Sequence, residues 1–93
     1  ISTGGSISEA AGVARRHGAK QIVLAASHAV FCGPAVARLD ACPADKILVT
    51  DSIPRRGDSP RQLEVVSVAP LLARAIRNIH HCESVSSLFE ETP

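Results

Sequence analysis

The sequence has no tryptophan, tyrosine or methionine and only two phenylalanines among its 93 residues. Its hydrophobic residues, 45% of the total, are therefore mainly alanine, valine, isoleucine and leucine. They can form only a thin core in a chain of this length. A core of this kind favours a domain that is completed by another domain or subunit.

The sequence also has a net charge close to zero, with ten Lys and Arg against nine Asp and Glu. The basic residues occur in small groups, such as Arg15-Arg16-His17 and Arg55-Arg56, with no aromatic residues between them. This pattern is typical of a solvent-exposed surface rather than of a nucleic-acid interface. We therefore expect no nucleic-acid partner.

Cysteine is scarce, and the sequence has no long hydrophobic run. The odd number of cysteines (Cys32, Cys42 and Cys82) and the lack of Cys-x-x-Cys spacing favour reduced thiols in the cytoplasm and indicate no metal site. The longest apolar run, Ile22 to Ala26, is far too short to span a membrane, and no targeting segment is recognisable. Since the chain starts without methionine, we expect it to be part of a longer protein.

The first six residues, Ile1-Ser2-Thr3-Gly4-Gly5-Ser6, have the composition of a loop that binds an anion, most simply a phosphate. Two glycines let the backbone approach a ligand closely, and the three hydroxyls can donate hydrogen bonds. The first N–H groups of a following helix have no acceptor within the helix. The same pattern also occurs in turns that only cap a helix, so both interpretations remain open.

Three helices are predicted from hydrophobic periodicity and from their end signals. The first covers residues 7–17, with Glu9 in its first turn and Gly18 as its left-handed C-terminal cap. The second covers residues 34–41, with Pro34 in the first turn. The third starts at Pro70, and its apolar residues Leu72, Ala75, Ile76 and Ile79 recur at helical spacing.

Three short apolar runs predict strands at residues 21–27, 46–50 and 63–68. The first run does not alternate, which is typical of a parallel strand with helices over both faces. The polar stretch 53–62 predicts a surface loop, and we expect the tail, with Val85, Leu88 and Phe89, to dock on the domain. The order helix, strand, helix, strand, strand, helix indicates an α/β layer fold with a parallel sheet.

Four segments are similar, in the same order, to segments of one enzyme family: ISTGGS with the Ala-rich helix after it, ASHAVFCGPAVARL, ILVTDSIP and VSVAPLLARAIRNIHHCESVSSLF. The sequence resembles the C-terminal half of ribose-phosphate pyrophosphokinase, which makes phosphoribosyl pyrophosphate from ribose 5-phosphate and ATP. The resemblance implies a phosphoribosyltransferase-type, Rossmann-like layered fold. Residues 1–93 would then be a partial C-terminal domain, and the N-terminal domain would lie outside this chain.

The resemblance also implies a role for the first six residues. In the family, the loop that corresponds to Ser2, Thr3, Gly4, Gly5 and Ser6 holds the 5-phosphate of ribose 5-phosphate. Many members have an acidic residue in place of Ser2 and a threonine in place of Ser6, but the hydroxyl and N–H donors are retained. Mg²⁺, its ligands, the nucleotide site and the catalytic residues would lie outside this chain, so we expect the chain alone to be inactive.

The resemblance further implies an effector site at a subunit boundary, formed in part by Ser84, Ser86 and Phe89, and hence a homo-oligomeric parent enzyme. From the residues alone, a polar tail whose Phe89 fills a gap in the core is the simpler interpretation. Two other functions also remain open for the whole chain. One is a phosphoribosyltransferase that acts on a nucleobase, and the other is a regulatory subunit without catalytic activity.

Other chemically capable side chains fit structural roles better. His28 follows a strand, where a hydrogen-bonded structural histidine is more common than a catalytic one. His80 and His81 at a helix end fit an interaction with the helix dipole. Cys32 has no evident base beside it, and Asp51 fits a turn cap better than a contact with the sugar.

Overall fold

The computed structural model describes residues 1–55 and 57–90. These residues contain, in chain order, α1 (Gly5–Arg16), β1 (Val23–Ala26), α2 (Ala35–Ala41), β2 (Lys46–Thr50), β3 (Leu63–Val66), α3 (Ala69–His80) and a 3₁₀ helix (Ser86–Phe89). The predicted order of helices and strands is confirmed. Most boundaries differ from the prediction by one or two residues, and none of the helices in the described ranges has the length and apolar composition to cross a bilayer.

Helix α1 begins two residues earlier than the sequence predicts. Gly4 adopts a left-handed conformation, with φ of 79°, and Ser8 N–H donates to the Gly4 carbonyl at 3.1 Å, so the helical hydrogen bonds start there. Glu9 therefore lies beyond the first turn, and the prediction that it lies within the first turn is wrong. The predicted cap is confirmed, because Gly18 has φ of 95° just after the helix.

The three strands form a parallel sheet in the order β1-β2-β3. Leu24 pairs with Ile47, and Ile47 pairs with Leu63, so these side chains lie on the same face of the sheet. Helices α1 and α2 cover this face and bury Ala11 and Leu39 against it. The core is thin and aliphatic, as the composition predicts.

The opposite face of the sheet is not covered within the described residues. Val23 and Val66 point to this face and are 50% and 52% exposed, and Ala25 is exposed as well. The prediction that strand 21–27 is covered on both faces is therefore wrong for this chain, because α1 and α2 lie on the same side. The apolar run reflects two apolar faces, of which this chain covers one, as expected of a partial domain.

Helix α3 extends away from the sheet and packs mainly against the 3₁₀ helix. Its apolar stripe is exposed, with Ile76 at 68%, Ile79 at 66% and Leu72 at 54%. The chain is correspondingly elongated, since its radius of gyration is 16.4 Å, whereas a compact domain of this length would have about 12 Å. The stripe that defines α3 in the sequence thus contributes little to the core of this chain.

The tail docks on α3 through one buried amide. Asn78 Nδ2 donates to the Ser84 carbonyl at 2.9 Å, and Glu83 N–H donates to the Asn78 carbonyl at 2.7 Å. Val85 is half-buried, as is Leu88, so the prediction that the tail docks is confirmed. Phe89 is 69% exposed, and the interpretation that it fills a gap in the core is wrong for the described residues.

We predict that a substitution in the sheet lowers the free energy of unfolding much more than a comparable substitution in α3. Ile47→Ala removes a fully buried side chain and should lower the free energy of unfolding by about 2–5 kcal/mol. Ile76→Ala removes an exposed side chain and should change the free energy of unfolding by less than about 0.5 kcal/mol. Urea unfolding monitored by circular dichroism measures both. Equal costs would contradict the description of α3.

Candidate anion-binding site

The opening loop, residues 1–6, lies beside the carboxyl end of β1. Helix α1 leads back to the start of that strand, so its first turn lies near Ala26 at the strand's end. The main-chain nitrogen of Ile1 donates to the His28 carbonyl at 2.8 Å. A cavity of about 290 Å³ opens at this point and is lined by Ile1, Ser2, Thr3, Gly4, Ser6, Ile7 and Ala26.

Main-chain hydrogen bonds to the segment 30–32 fix the first two carbonyls of the opening loop. The Ile1 carbonyl accepts from Val30 N–H at 3.0 Å and from Phe31 N–H at 3.2 Å. The Ser2 carbonyl accepts from Cys32 N–H at 3.0 Å. Phe31 has a φ of 48°, a conformation that is uncommon for a residue other than glycine. At this bend, the successive N–H groups of Val30 and Phe31 both donate to the Ile1 carbonyl oxygen.

The fixed carbonyls determine where the N–H groups of the opening loop point. In a planar trans peptide, the C=O and the following N–H point in opposite directions. Because the carbonyls of Ile1 and Ser2 face segment 30–32, the N–H groups of Ser2 and Thr3 face away from it. From Thr3 to Ile7, no N–H donates to another described residue, so five successive donors are available to a ligand.

The three hydroxyls of the opening loop do not have equal roles. Thr3 Oγ1 and Ser6 Oγ have no hydrogen-bond partner among residues 1–55 and 57–90. Ser2 Oγ lies 3.0 Å from Cys32 Sγ and is already engaged. The hydroxyls of Thr3 and Ser6 are therefore free to donate, whereas the Ser2 hydroxyl can donate to a ligand only when Cys32 Sγ is the donor in their shared hydrogen bond.

The electrostatic setting of the opening loop favours an anion. The first turn of α1 contains no acidic residue, so the partial positive charge of this helix end is not neutralised by its own side chains. Unpaired N–H groups at a helix N-terminus are a recurrent binding arrangement for phosphate and carboxylate. The arrangement can hold an anionic group, and nothing in it is a nucleophile with an adjacent base.

Polar side chains at the carboxyl ends of the strands have structural partners. His28 Nδ1 lies 2.7 Å from Ser52 Oγ, and Ser52 Oγ donates to the Ser27 carbonyl at 3.2 Å. His28 is thus hydrogen-bonded within the fold, which is consistent with the structural role expected for it.

Asp51 caps the start of α3. Its carboxylate accepts from Ser67 Oγ at 2.7 Å and from Val68 N–H at 2.8 Å. These two hydrogen bonds, that of Ser67 first, hold the pKa of Asp51 below its ordinary value of 3.8. The expectation that Asp51 caps a turn rather than contacting the sugar agrees with this geometry.

The remaining candidates form no second centre. All three cysteines are free thiols, and Cys32 contacts Ser2 rather than a base. His80 and His81 stack edge to face at the end of α3, with ring centroids 5.2 Å apart. Among the residues that the structure describes, no group of three or more His, Cys, Asp or Glu could hold a metal ion. We therefore assign no Mg²⁺ ligand to them.

Ser84, Ser86 and Phe89 lie together in the tail on α3. Ser84 Oγ and Ser86 Oγ are 2.9 Å apart, and the Ser84 carbonyl also accepts from Ser87 Oγ at 2.9 Å. The exposed ring of Phe89 follows on the 3₁₀ helix. The two hydroxyls and the ring thus all belong to solvent-exposed residues of the tail.

Sequence reasoning missed the main-chain contacts that hold the opening loop in place. The loop depends on segment 30–32, almost thirty residues away, and on α2, whose Ala35 main chain would lie 3.5 Å from a Cβ at position 4. No local pattern identifies these partners. The one available signal was Gly33-Pro34, which indicates a turn just before α2.

A parallel sheet with a glycine loop at its carboxyl edge is typical of α/β proteins that bind an anionic ligand at a helix N-terminus. A family model for the phosphoribosyl synthetase-associated domain matches residues 1–90. The chain belongs to this family.

Individual relatives agree with this assignment. The chain is 52% identical to a ribose-phosphate pyrophosphokinase from Rhodopirellula baltica, over 98% of this chain and 29% of the relative. It is 47% identical to the same kind of enzyme from Corynebacterium glutamicum, over 97% of this chain and 28% of the relative. The chain thus spans less than a third of the length of the curated relatives it matches.

A solved structure shows the same fold. The crystal structure of phosphoribosylpyrophosphate synthetase from Mycobacterium smegmatis superimposes with a TM-score of 0.83 at 42% identity. The match covers 88% of this chain and 28% of that chain. The α/β fold with a parallel sheet, predicted from the sequence, is therefore confirmed.

We predict that two glycine substitutions have opposite effects on stability. Gly4→Ala places a side chain at a φ of 79° and should lower the free energy of unfolding by about 1–2 kcal/mol. The new Cβ would meet Ala35 and Leu39 at ordinary distances, so the cost comes from the backbone. Gly12→Ala, inside α1, should stabilise by about 0.5–1 kcal/mol. Thermal unfolding compares the two, and a stabilising Gly4→Ala would contradict the left-handed turn.

We also predict that Asp51 makes the stability of the chain depend on pH. Because its pKa is lower in the folded state, its contribution to stability is present above pH 3.8 and is lost as the pH falls through the folded pKa. In Ser67→Ala the pKa of Asp51 should rise towards 3.8, because the largest cause of the shift is removed. Carbon-13 NMR of the carboxyl group measures both values. An unchanged pKa in Ser67→Ala would contradict the assigned cause.

Proposed function

We propose that this chain supplies the ribose 5-phosphate loop of a ribose-phosphate pyrophosphokinase. The observation that carries the proposal is the opening loop, whose carbonyls are bound to the protein while its N–H groups from Thr3 to Ile7 are not. An oxyanion with three outward oxygens, such as a phosphate monoester, can accept from several of these successive donors. The names of the relatives identify the sugar phosphate that such an enzyme would use.

In the proposed reaction, the anomeric oxygen of ribose 5-phosphate forms a bond to the β-phosphorus of ATP. The bond between the α-β bridging oxygen and that phosphorus breaks, and AMP leaves. Transfer of this kind depends on positioning and on cations that neutralise the phosphates. Ser2, Thr3, Gly4, Gly5 and Ser6 would contribute positioning, by holding the 5-phosphate away from the reacting centre.

ATP and Mg²⁺ would bind to other parts of the full-length enzyme. Because the described residues include no cluster suited to a metal, we derive no step through Mg²⁺ from this chain. We also infer that residues 1–93 form a partial C-terminal domain, because the chain spans less than a third of the length of its relatives, and that the catalytic residues lie elsewhere in the full-length enzyme.

The two rival functions are less well supported. A phosphoribosyltransferase acting on a nucleobase would share the loop chemistry, but relatives at 52%, 47% and 44% identity are ribose-phosphate pyrophosphokinases. A regulatory subunit without activity would share the fold as well. An assay for phosphoribosyl pyrophosphate in the full-length protein separates these possibilities, because only the synthetase makes the diphosphate from ATP.

We further infer that Ser84, Ser86 and Phe89 contribute to an effector site in a homo-oligomeric, cytoplasmic enzyme. The paired hydroxyls suit a phosphate, and the exposed ring of Phe89 suits an adenine. The apolar surface of α3 supports burial against another part of the enzyme or another subunit.

The proposed function predicts a localised response to ribose 5-phosphate. In a ¹⁵N-¹H spectrum of the chain, titration with ribose 5-phosphate should shift the amide resonances of residues 3–7, since these N–H groups have no acceptor among residues 1–55 and 57–90. Ribose without phosphate is the control and should leave them in place. A folded spectrum in which these resonances do not move would contradict the proposal. In the presence of ATP and Mg²⁺, the chain alone should form no phosphoribosyl pyrophosphate.

A further inference from the structure

We propose that Arg38 is a positioning residue for the opening loop and adds the positive charge that attracts its anion. This inference rests on the proposed function, because it concerns the same loop. Arg38 lies on α2, outside the loop itself, and neither the motif nor the strand pattern indicates it. Its role follows from three features of its surroundings.

The first feature is a direct hydrogen bond. Arg38 Nη1 donates to the Thr3 carbonyl at 3.3 Å. By the same planarity that orients Ser2 and Thr3, a Thr3 carbonyl held towards Arg38 turns the Gly4 N–H to the opposite side. Arg38 thereby orients the third successive peptide unit of the loop, after the two that segment 30–32 orients.

The second feature is the space that Gly5 leaves. A Cβ at position 5 would lie 3.2 Å from Arg38 Nη1 and 4.0 Å from its Cζ, so the guanidinium lies directly against the glycine backbone. Helix α2 also lies close to Gly4, through Ala35 and Leu39. One side of the loop therefore packs against α2, and the Arg38 guanidinium makes the polar contact in this packing.

The third feature is charge. The two ion pairs among residues 1–55 and 57–90 are Arg15 with Asp45 and Lys46 with Glu64, and neither includes Arg38. The side chain is solvent-exposed and has no carboxylate within ion-pair distance in that part of the chain. A guanidinium that has no counter-charge in that part of the chain and lies against the Gly5 backbone adds a positive potential to the loop, which favours an anion there.

The test measures binding of ribose 5-phosphate to the chain and to three variants by ¹⁵N-¹H titration. Arg38→Met removes the charge and the donor and should weaken binding about tenfold or more, as expected for a lost hydrogen bond from a charged group. Arg38→Lys keeps the charge and should recover part of that loss. Arg74→Met removes an exposed arginine from α3, away from the loop, and should change the dissociation constant less than about twofold.

Salt dependence separates a charge role from a purely structural one. In the parent chain, binding should weaken as KCl rises, and the dependence should be shallower in Arg38→Met because one cation is lost. If Arg38→Met does not give a folded spectrum, Arg38→Gln replaces it in the same titration. Affinity in Arg38→Met or Arg38→Gln within about twofold of the parent, with the same salt dependence, would overturn the inference.

This result is distinguishable from failure of the proposed function. If the parent chain itself does not bind ribose 5-phosphate at residues 3–7, the proposed function fails and this inference fails with it. If the parent binds there and the Arg38 variants bind equally well, the proposed function stands and only the role of Arg38 is overturned.

Discussion

The site depends on one constraint, which is the planarity of the peptide unit. Segment 30–32 holds the carbonyls of Ile1 and Ser2, so the N–H groups that follow must point the other way. The first turn of α1 continues the same row of donors, because N–H groups there have no acceptor within the helix. In the candidate anion site, the carbonyl acceptors of the loop are therefore satisfied by the protein, and its N–H donors are left without partners among the described residues.

The same constraint accounts for the backbone conformation and the close packing of the chain around the opening loop. Gly4 turns the chain into α1 with a φ of 79°, and α2 approaches closely enough that a Cβ at position 5 would lie only 3.2 Å from Arg38 Nη1. The sheet supplies the fixed reference, since segment 30–32 follows directly from β1. Stability and binding are thus linked, because the contacts that pack the loop also orient its donors.

The sequence was sufficient to predict the elements but not their assembly. Apolar runs and caps identified the three strands and three helices, because these signals are local. They could not show that α1 and α2 lie on the same face, or that α3 extends from the sheet with Ile76 exposed. Those features depend on contacts between elements that are far apart in the chain, which a local pattern does not encode.

The candidate site, like the fold, was predictable only in part. Gly4 and Gly5 stand out in the sequence, and their chemistry indicates an anion. The engagement of Ser2 by Cys32 and the support from Arg38 could not be predicted, because both partners lie some thirty residues or more away in the chain. Long-range contacts of this kind decide which hydroxyl and which N–H groups remain available to a ligand.

Amide hydrogen exchange, measured residue by residue with and without ribose 5-phosphate, tests the central claim most directly. The account predicts that the N–H groups of Val30, Phe31 and Cys32 are protected in the free chain, while those of Gly4, Gly5 and Ser6 exchange rapidly and become protected only with the ligand. Protection of Gly4, Gly5 and Ser6 in the free chain would show that their donors are already used, and would contradict it.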